Sequence, residues 1–369
     1  MPASDSAQIN TFSELLSPAA LKLLSASGND LVQEIGMDII RGVVRDVLTG
    51  RNLRDSTEVL TRRRIVALNL AMVNLFLQGA ASSTDFINQL PYLATEILTQ
   101  ERITKAERWL AQWTLGLNDK AFQNILRDNP ALLADYRDRY VQTCHDVIAS
   151  YKSEYGDMTG TLEVGPNTKA QIDWLLMTYL LNTIGAQTLA IRGSEKSAYG
   201  KLFEKLILGA LLHILGFRYV PQPQVGDTNR VFWLSTRNQR RESDATLLYG
   251  AGQAVRFDIG FIGRGNPEIS LDKVTRFERE ITVGRTQWYA ATIIIVDRIG
   301  QNSRIEELAH EMSGTIIQMS GSYWPQLVAR ELQRIFGFEH ELVNAEQNQI
   351  GSLIDRALRE APLESFVGL

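Results

Sequence analysis

The chain has 369 residues, of which 44% are hydrophobic and 22% are charged, and its formal net charge is -4. This length allows two domains with sizeable cores, and the composition is that of an ordinary soluble protein. The net charge excludes a protein that is basic over its whole surface, although a local basic patch still permits nucleic-acid binding.

The cysteine and histidine content excludes several kinds of site. Cys144 is the only cysteine, which rules out an internal disulfide and a cysteine-based zinc site. The four histidines are scattered without metal-ligand spacing. Residues 1–12 lack the basic and apolar regions of a signal peptide, and no apolar run has the length that a bilayer requires. We therefore expect a cytoplasmic protein without a membrane segment.

Apolar residues recur every three or four positions through the first part of the chain, as in Val32, Ile35, Ile39, Val43 and Val47. This periodicity predicts an all-helical domain over residues 1–155, which serves in recognition or dimerisation. Plausible N-caps precede several of the helices. The predicted helices are 12–25, 30–48, 56–78, 83–100, 104–115 and 131–151, with N-caps at Asp30, Ser56, Ser83 and Thr104.

Residues 156–195 are predicted to connect this domain to a second one. The stretch 155–169 is rich in Gly, Thr and Asn, as is typical of a surface connection, and a helix is predicted over 170–185. The next helix, 197–215, is apolar on most faces, which predicts that it is covered on two sides. Glu204 lies within it, and a carboxylate among apolar neighbours requires a partner.

Residues 196–369 are predicted to form an α/β domain, with helices packed on a mixed (α+β) sheet. Short strands are expected at 217–220 and 231–235, and a hairpin at 244–249 and 254–262 around a Gly-rich turn. Asn266, Pro267 and Glu268 predict the start of a helix. An interior strand, 291–297, and two closing helices, 304–319 and 323–336, complete the predicted domain.

Asp258 interrupts the second strand of this hairpin. An aspartate fits poorly in a strand interior, and its burial requires a metal ion or a cation as compensation. A solvated aspartate, or one paired with Arg256 or Arg264, is the simpler interpretation. The nearby acids Asp244 and Glu204 favour a chemical role for Asp258.

The order of elements around these acids resembles the core of the PD-(D/E)XK nuclease superfamily, to which most type II restriction endonucleases belong. The resemblance covers about residues 195–300. It implies that two or three acids hold Mg²⁺ against the scissile phosphate of double-stranded DNA, while a lysine polarises the attacking water. Carboxylate-bound Mg²⁺ suits this hydrolysis because it activates water and neutralises developing charge.

The motif fits the chain in two registers. In the first, Asp244 and Asp258 are the acids, and Gly260 occupies the position of the lysine. In the second, Asp258 leads, Glu268 follows, and Ser270 occupies the lysine position. The first register agrees better with the predicted strand lengths.

The motif lysine is absent from both registers. Since members of this superfamily also supply it from a neighbouring helix, Lys273 is the first candidate, and Lys201, one turn before Glu204, is the second. A solvated helix lysine is the alternative for Lys273. If neither lysine reaches the site, the resemblance implies an unusual or inactive nuclease.

The segment 257–273, FDIGFIGRGNPEISLDK, is similar to the CfrBI-type restriction endonucleases. This similarity implies a palindromic CCWWGG-like target and a homodimer with one active site for each DNA strand. A protein with two-fold symmetry is suited to a target with two-fold symmetry.

Basic residues on either side of the hairpin are the predicted DNA contacts. Arginines would bind phosphates, while the loop 235–242 or the N-terminal helices would read the bases. A solvated polar loop is the alternative. The basic run 62–64 is expected to be a helix face that snorkels or meets a partner subunit. The predicted DNA-binding residues are Arg237, Asn238, Gln239, Arg240, Arg241 and Arg264.

Other functions find less support in the sequence. No Walker loop or GxGxxG motif stands at a strand-to-helix junction, and no G-x-S-x-G elbow is present, so neither a nucleotide cofactor nor a serine hydrolase is expected. Two alternatives remain, a non-catalytic DNA-binding or assembly protein on a decayed nuclease core and a structure-specific repair nuclease. Convergence of Asp244, Asp258 and Glu204 would favour catalysis, whereas their dispersal would favour the binding protein.

Overall fold

The computed structural model describes residues 11–25, 36–126, 129, 131–166, 168–222, 224, 229–235, 243–261, 291–297, 314–320 and 323–369. The chain forms two compact units. Unit A comprises Met1–Ser27 and Leu60–Lys196, and unit B comprises Gly28–Val59 and Ser197–Leu369. The boundaries after residues 59 and 196 lie within helices. The domain limits predicted from the sequence stay a prediction.

Unit A is a bundle of helices with one small β-hairpin. A short 3-10 helix, Ser13–Leu15, precedes the first α-helix. The last part of α3 and the first part of α8 belong to this unit. Its elements are α1 (Pro18–Ser25), α3 (Leu53–Ser82), α4 (Phe86–Thr99), α5 (Lys105–Thr114), α6 (Asp119–Leu126), α7 (Ala131–Tyr155), β1 (Gly160–Val164), β2 (Thr168–Ile172) and α8 (Trp174–Ile214), and α2 (Met37–Leu48) belongs to unit B.

Helix α5 lies at the centre of unit A. The Thr104 hydroxyl accepts a hydrogen bond from the Glu107 N–H at 3.2 Å, which makes it the N-cap that the sequence predicts. The buried carboxylate of Glu107 accepts the backbone N–H groups of Phe12, at 3.1 Å, and Ser13, at 2.7 Å. These bonds attach the start of the described chain to α5, next to the packed rings of Trp109 and Trp113.

Three local predictions differ from the structure in unit A. The stretch 155–169, predicted as a plain connection, contains β1 and leads into β2, which pair antiparallel. Helix α8 is continuous over 41 residues, where two helices were predicted. Gly185 ends the first predicted helix and Gly193 lies between the two, but a glycine inside a helix costs only about 1 kcal/mol relative to alanine, which packing overcomes. Helix α6 was not predicted.

Unit B contains a six-stranded mixed sheet with helices packed on it. The strand order is β3-β4-β5-β6-β7-β8. Strands β4, β5 and β6 are antiparallel neighbours, whereas β3 is parallel to β4, and β6, β7 and β8 are parallel. The mixed sheet and the helical N-terminal part agree with the predicted fold class. The strands are β3 (Arg218–Tyr219), β4 (Val231–Leu234), β5 (Ala245–Gly250), β6 (Gln253–Gly260), β7 (Ala291–Val296) and β8 (Gly314–Gln318).

The hairpin of β5 and β6 confirms the sequence prediction. Residues 251 and 252 connect the strands, and Gly252 has a φ of +75°, a conformation that glycine adopts without strain. Strand β7 confirms the predicted interior strand, with Ile293 and Ile295 fully buried. This part of the sequence is predictable because its hydrophobic pattern and its turn residues agree.

The C-terminal helices and α2 contribute to the core of unit B. The Trp324 indole N–H donates to the Val47 carbonyl at 2.8 Å, and Arg45 forms a two-bond ion pair with Asp355, at 2.5 and 3.0 Å. Arg41 donates to the Leu358 carbonyl. Residues early in the chain are therefore part of the sheet-containing unit. The C-terminal helices are α9 (Trp324–Phe336), α10 (Glu341–Asn344), α11 (Gln347–Glu360) and α12 (Leu363–Val367).

One expectation is wrong at the level of a whole segment. Residues 314–318 form strand β8, not the end of a helix, because the short apolar run Gly314–Gln318 completes the parallel part of the sheet. Two helical stretches, Leu53–Ser82 and Trp174–Gly193, are long and apolar enough to cross a membrane by length and composition. Buried helices of soluble proteins meet the same criterion, so these two do not by themselves indicate a membrane protein.

Candidate active site

Two of the predicted acids meet on neighbouring strands. Ala245 pairs with Phe257, so the next pair in the same register is Asp244 and Asp258. The Asp244 carboxylate accepts the backbone N–H of Ile259 at 2.9 Å. This bond fixes Asp244 beside the backbone that carries Asp258. The structure therefore brings together the two acids of the first register.

Asp258 lies in the interior of the sheet, with β5 on one side and β7 on the other. Its neighbours Phe257 and Ile259 are fully buried on one face, and Asp258 itself is only 8% exposed on the other. Burying a carboxylate is costly unless other groups stabilise its charge. A charged side chain at such a position is therefore more typical of a functional site than of a surface strand.

The face that carries Asp258 also carries Arg256 and Gly260, because side chains alternate along a strand. Gly260 pairs with Val296 on β7 and occupies the position where the motif lysine would stand. Glycine has no side chain, so this position supplies no cation. Arg256 pairs with Thr246 on β5, and Thr246 is buried.

A further acid, Asp297, lies at the same end of the sheet. It follows β7 directly, its N–H donates to the Gly260 carbonyl at 3.2 Å, and its carboxylate accepts the Asn52 side-chain amide at 2.6 Å. The carboxyl ends of β6, β7 and β8 and the amino end of β5 lie together at this end of the sheet. Asp297 is not among the site residues predicted from the sequence, although an acid directly after an apolar strand is a usable signal.

Glu204 lies on α8 and is half-buried between fully buried neighbours such as Phe203 and Leu206. Within the ranges that the structure describes, no three His, Cys, Asp or Glu side chains form a group able to hold a metal ion. Glu204 is thus not seen in a three-acid cluster with Asp244 and Asp258, and its role stays a prediction. Lys201, one turn earlier, is exposed.

Several predicted site residues lie outside the described residues. They are the second acid of the alternative register and the first lysine candidate for either register, together with the predicted DNA contacts. Their predicted roles stay predictions. The residues concerned are Glu268, Lys273, Arg237, Asn238, Gln239, Arg240, Arg241 and Arg264.

The basic run 62–64 divides into two kinds of residue. Arg62 and Arg63 are exposed on α3. Arg64 is 5% exposed, and its guanidinium donates to the Leu23 carbonyl at 2.8 Å. Arg64 therefore joins α3 to α1, so its guanidinium has a structural role in unit A.

The donor set of the Asp244 and Asp258 pair suits a hard divalent cation. Mg²⁺ is usually held in proteins by one or two carboxylates, while water and substrate phosphates complete its coordination. Two neighbouring acids at the end of the sheet meet this requirement without a third acid. No cysteine and no group of histidines among the described side chains offers a softer site.

Comparison with known proteins identifies the family of this chain. The CfrBI restriction endonuclease family matches residues 37–304 of the chain. The type II restriction enzyme CfrBI of Citrobacter freundii is 39% identical over 350 residues, which cover 95% of this chain and 96% of that enzyme. No solved structure matches the chain. The resemblance seen in segment 257–273 is confirmed, and the chain belongs to the CfrBI restriction endonuclease family, which makes it a type II site-specific deoxyribonuclease.

Proposed function

We propose that the protein hydrolyses both strands of a specific double-stranded DNA sequence on a PD-(D/E)XK core, with Mg²⁺ as cofactor, and leaves 5′-phosphate ends. The observation that carries this proposal is the adjacency of Asp244, directly before β5, and Asp258 on β6. The element order also supports it, since a helix, an antiparallel set of strands and a parallel β7 surround the pair.

In this proposal the carboxylates of Asp244 and Asp258 bind the metal ion. The pairing of the backbone on which they stand sets the positions from which they bind it. The chemistry that Mg²⁺ supplies in such a site is activation of water and neutralisation of charge on the phosphate. The Ile259 N–H donates to one Asp244 oxygen at 2.9 Å and so fixes the orientation of this carboxylate. The buried position of Asp258 excludes water from one side of its carboxylate and strengthens its attraction for a cation.

In this proposal Lys273 polarises the attacking water, and Lys201 is the second candidate for this role. The cleaved DNA would be held through phosphates by Arg237, Arg240, Arg241 and Arg264. Asn238 and Gln239 would contribute base contacts. The enzyme would act in the cytoplasm as a homodimer and without a nucleotide cofactor, consistent with the absence of a phosphate-binding loop in the sequence.

Substitution of the paired acids tests the proposal. Asp258→Asn and Asp244→Asn keep the shape of each side chain but remove its charge, so DNA cleavage should fall by roughly 10²–10³-fold, the size typical of losing one electrostatic group from an active site. Cleavage is measured on unmethylated phage DNA with and without Mg²⁺. Asp38→Asn, an exposed acid on α2, is the matched control and should cleave normally.

Mapping the fragment ends completes the test. DNA ligase should rejoin them directly, because ligation requires a 5′-phosphate. Cleavage that persists in Asp258→Asn, or discrete fragments produced without any divalent cation, would contradict the assigned site.

A non-catalytic DNA-binding protein is the second candidate, and the observation that favours it is Gly260 at the lysine position. It predicts tight, sequence-specific binding in a gel-shift assay together with intact DNA under all metal conditions. Family membership favours the nuclease.

A further inference from the structure

The hairpin of β1 and β2 has one covered strand and one open strand. Ala170 of β2 is buried, and the Thr168 hydroxyl accepts the Gln78 side-chain amide at 3.0 Å. All five residues of β1 are exposed, and within the described chain β1 pairs with β2 alone. A two-stranded hairpin is only marginally stable by itself, and an open edge is a template for another strand.

Large exposed apolar side chains lie on β1 and on the helix that precedes it. Leu162 is 38% exposed on β1, and Val164 lies on the same face of the strand. Val147, Tyr151 and Tyr155 follow one another at intervals of four residues along α7, which places them on one exposed face. We call these five residues the hairpin surface.

The hairpin surface is continuous along the chain and held in shape by Trp174. Strand β1 begins five residues after Tyr155. The Trp174 ring packs edge-on against Tyr151, with centroids 5.9 Å apart, and its indole N–H donates to the Gly156 carbonyl at 3.0 Å. The exposed aromatic rings are therefore fixed in place, which lowers the entropy cost of covering them.

The charges around this surface exclude nucleic acid and anionic membranes as its partner. Residues 146–181 contain five acids and two lysines. Both lysines form ion pairs with acids of the same segment, Lys152 with Asp157 at 3.2 Å and Lys169 with Glu163 at 2.7 Å. The remaining charge is negative, so phosphate groups would be repelled. A protein surface is the partner that this chemistry fits.

We propose that the partner is a second copy of this chain, and that β1 pairs antiparallel with β1 of that copy to form a four-stranded sheet. An antiparallel pair of identical strands is two-fold symmetric, so one surface serves both copies. With the axis at Leu162, the middle residue of β1, Gly160 lies opposite the partner's Val164. This inference rests on the proposed function only in its choice of partner, because two copies are needed to cut two strands of a symmetric target.

The size of the surface agrees with a stable dimer. Each partner in a standard interface buries about 800 Å². A fully buried aromatic side chain contributes about 150–250 Å², and Tyr151 and Tyr155, which are 49% and 66% exposed, have roughly half of that left to bury. With the three exposed aliphatic side chains and the strand edge, they supply a large part of the required area.

Sedimentation equilibrium of the full-length protein is the first test. The wild type should be a dimer, and Leu162→Asp should raise the dimer dissociation constant at least tenfold, because it places two carboxylates opposite each other at the axis. The matched control is Leu327→Asp, since Leu327 on α9 is similarly exposed at 43% and lies outside the surface. Circular dichroism checks that each variant is folded.

A cross-link identifies the strand pair directly. Leu162→Cys is introduced together with Cys144→Ser, which removes the only native thiol. Under mild oxidation we expect a disulfide-linked dimer, because opposed residues of antiparallel strands lie within the Cα distance that a disulfide requires. The same pair of substitutions with Leu327→Cys in place of Leu162→Cys should give no cross-linked dimer.

A wild type that stays monomeric would overturn the inference, and so would a dimer that neither Leu162→Asp weakens nor Leu162→Cys cross-links. Neither result depends on DNA cleavage. A cross-linked dimer that cuts no DNA would refute the proposed function and leave this interface standing.

Discussion

Asp244 and Asp258 owe their adjacency to backbone pairing, not to proximity in sequence. Fourteen positions separate them, but the tight turn at Gly252 folds β5 back on β6 and places them side by side. The Ile259 N–H then fixes one of the two carboxylates. A site built on paired strands holds its ligands more rigidly than a site built on loops.

His340 carries a prediction about pH. Its ring nitrogen Nδ1 accepts the Leu342 N–H at 3.2 Å and so caps α10. Burial lowers the pKa of this imidazole, although Glu341 opposes the effect. The unfolded chain therefore binds a proton more readily, since its histidine pKa is about 6.5. The free energy of unfolding should be constant above about pH 7 and should fall as the pH decreases through about 6.5.

Urea unfolding between pH 5 and 8 measures this dependence. His340→Asn keeps a side-chain acceptor at the cap position without a titrating group, so the decline below pH 7 should become smaller. His213, whose pKa burial also lowers, should account for part of the remaining decline. Exposed His145→Asn is the control. An unchanged pH profile in His340→Asn would remove this residue from the explanation.

Helices α8 and α12 pack so closely that only glycine fits between them. A Cβ atom on Gly209 would lie 2.5 Å from Cδ2 of Phe366. The Phe366 ring is itself held against Tyr219 and Phe232 of the sheet, with centroids 5.1 and 6.0 Å away. The ring cannot move aside without disturbing the sheet.

Gly209→Ala should therefore lower the free energy of unfolding by about 1–3 kcal/mol, the usual cost of overpacking a core. Gly200→Ala, in the same helix, is the matched control because a Cβ there meets no atom within 4 Å. It should raise stability by up to about 1 kcal/mol through helix propensity. Chemical denaturation measures both. Equal effects of the two substitutions would contradict the proposed steric cause.

The elements that the sequence predicts are those whose local signals agree. The hairpin of β5 and β6 and helix α5 each combine a clear hydrophobic period with turn or cap residues. Strand β8 was mistaken for helix because an apolar run of five residues has no distinctive period, and only pairing with β7 decides its conformation. Asp297 was missed for a related reason, since its position depends on the sheet edge and on Asn52, far away in sequence.

The proposed reaction requires two cleavages, one in each DNA strand, and we assign one cleavage to each subunit of the dimer. If each copy cuts one strand, a dimer with one Asp258→Asn subunit should nick DNA instead of cutting it. Wild-type protein and a tagged Asp258→Asn variant are mixed, and the mixed dimer is purified by its tag. On a supercoiled plasmid with one target, open circles should accumulate. Linear product from the purified mixed dimer, at the wild-type rate, would mean that one subunit cuts both strands.

The hydrogen bond between Trp324 and Val47 joins two segments of unit B that are synthesised at different times. Residues 28–59 belong to the same unit as 197–369, and 137 residues separate the two segments. A ribosome adds about 5–20 residues each second, so α2 emerges many seconds before the sheet that it packs against. The intervening residues of unit A are complete first. Unit B can therefore close its core only after Phe366, which packs against Tyr219 and Phe232 of the sheet, has been synthesised.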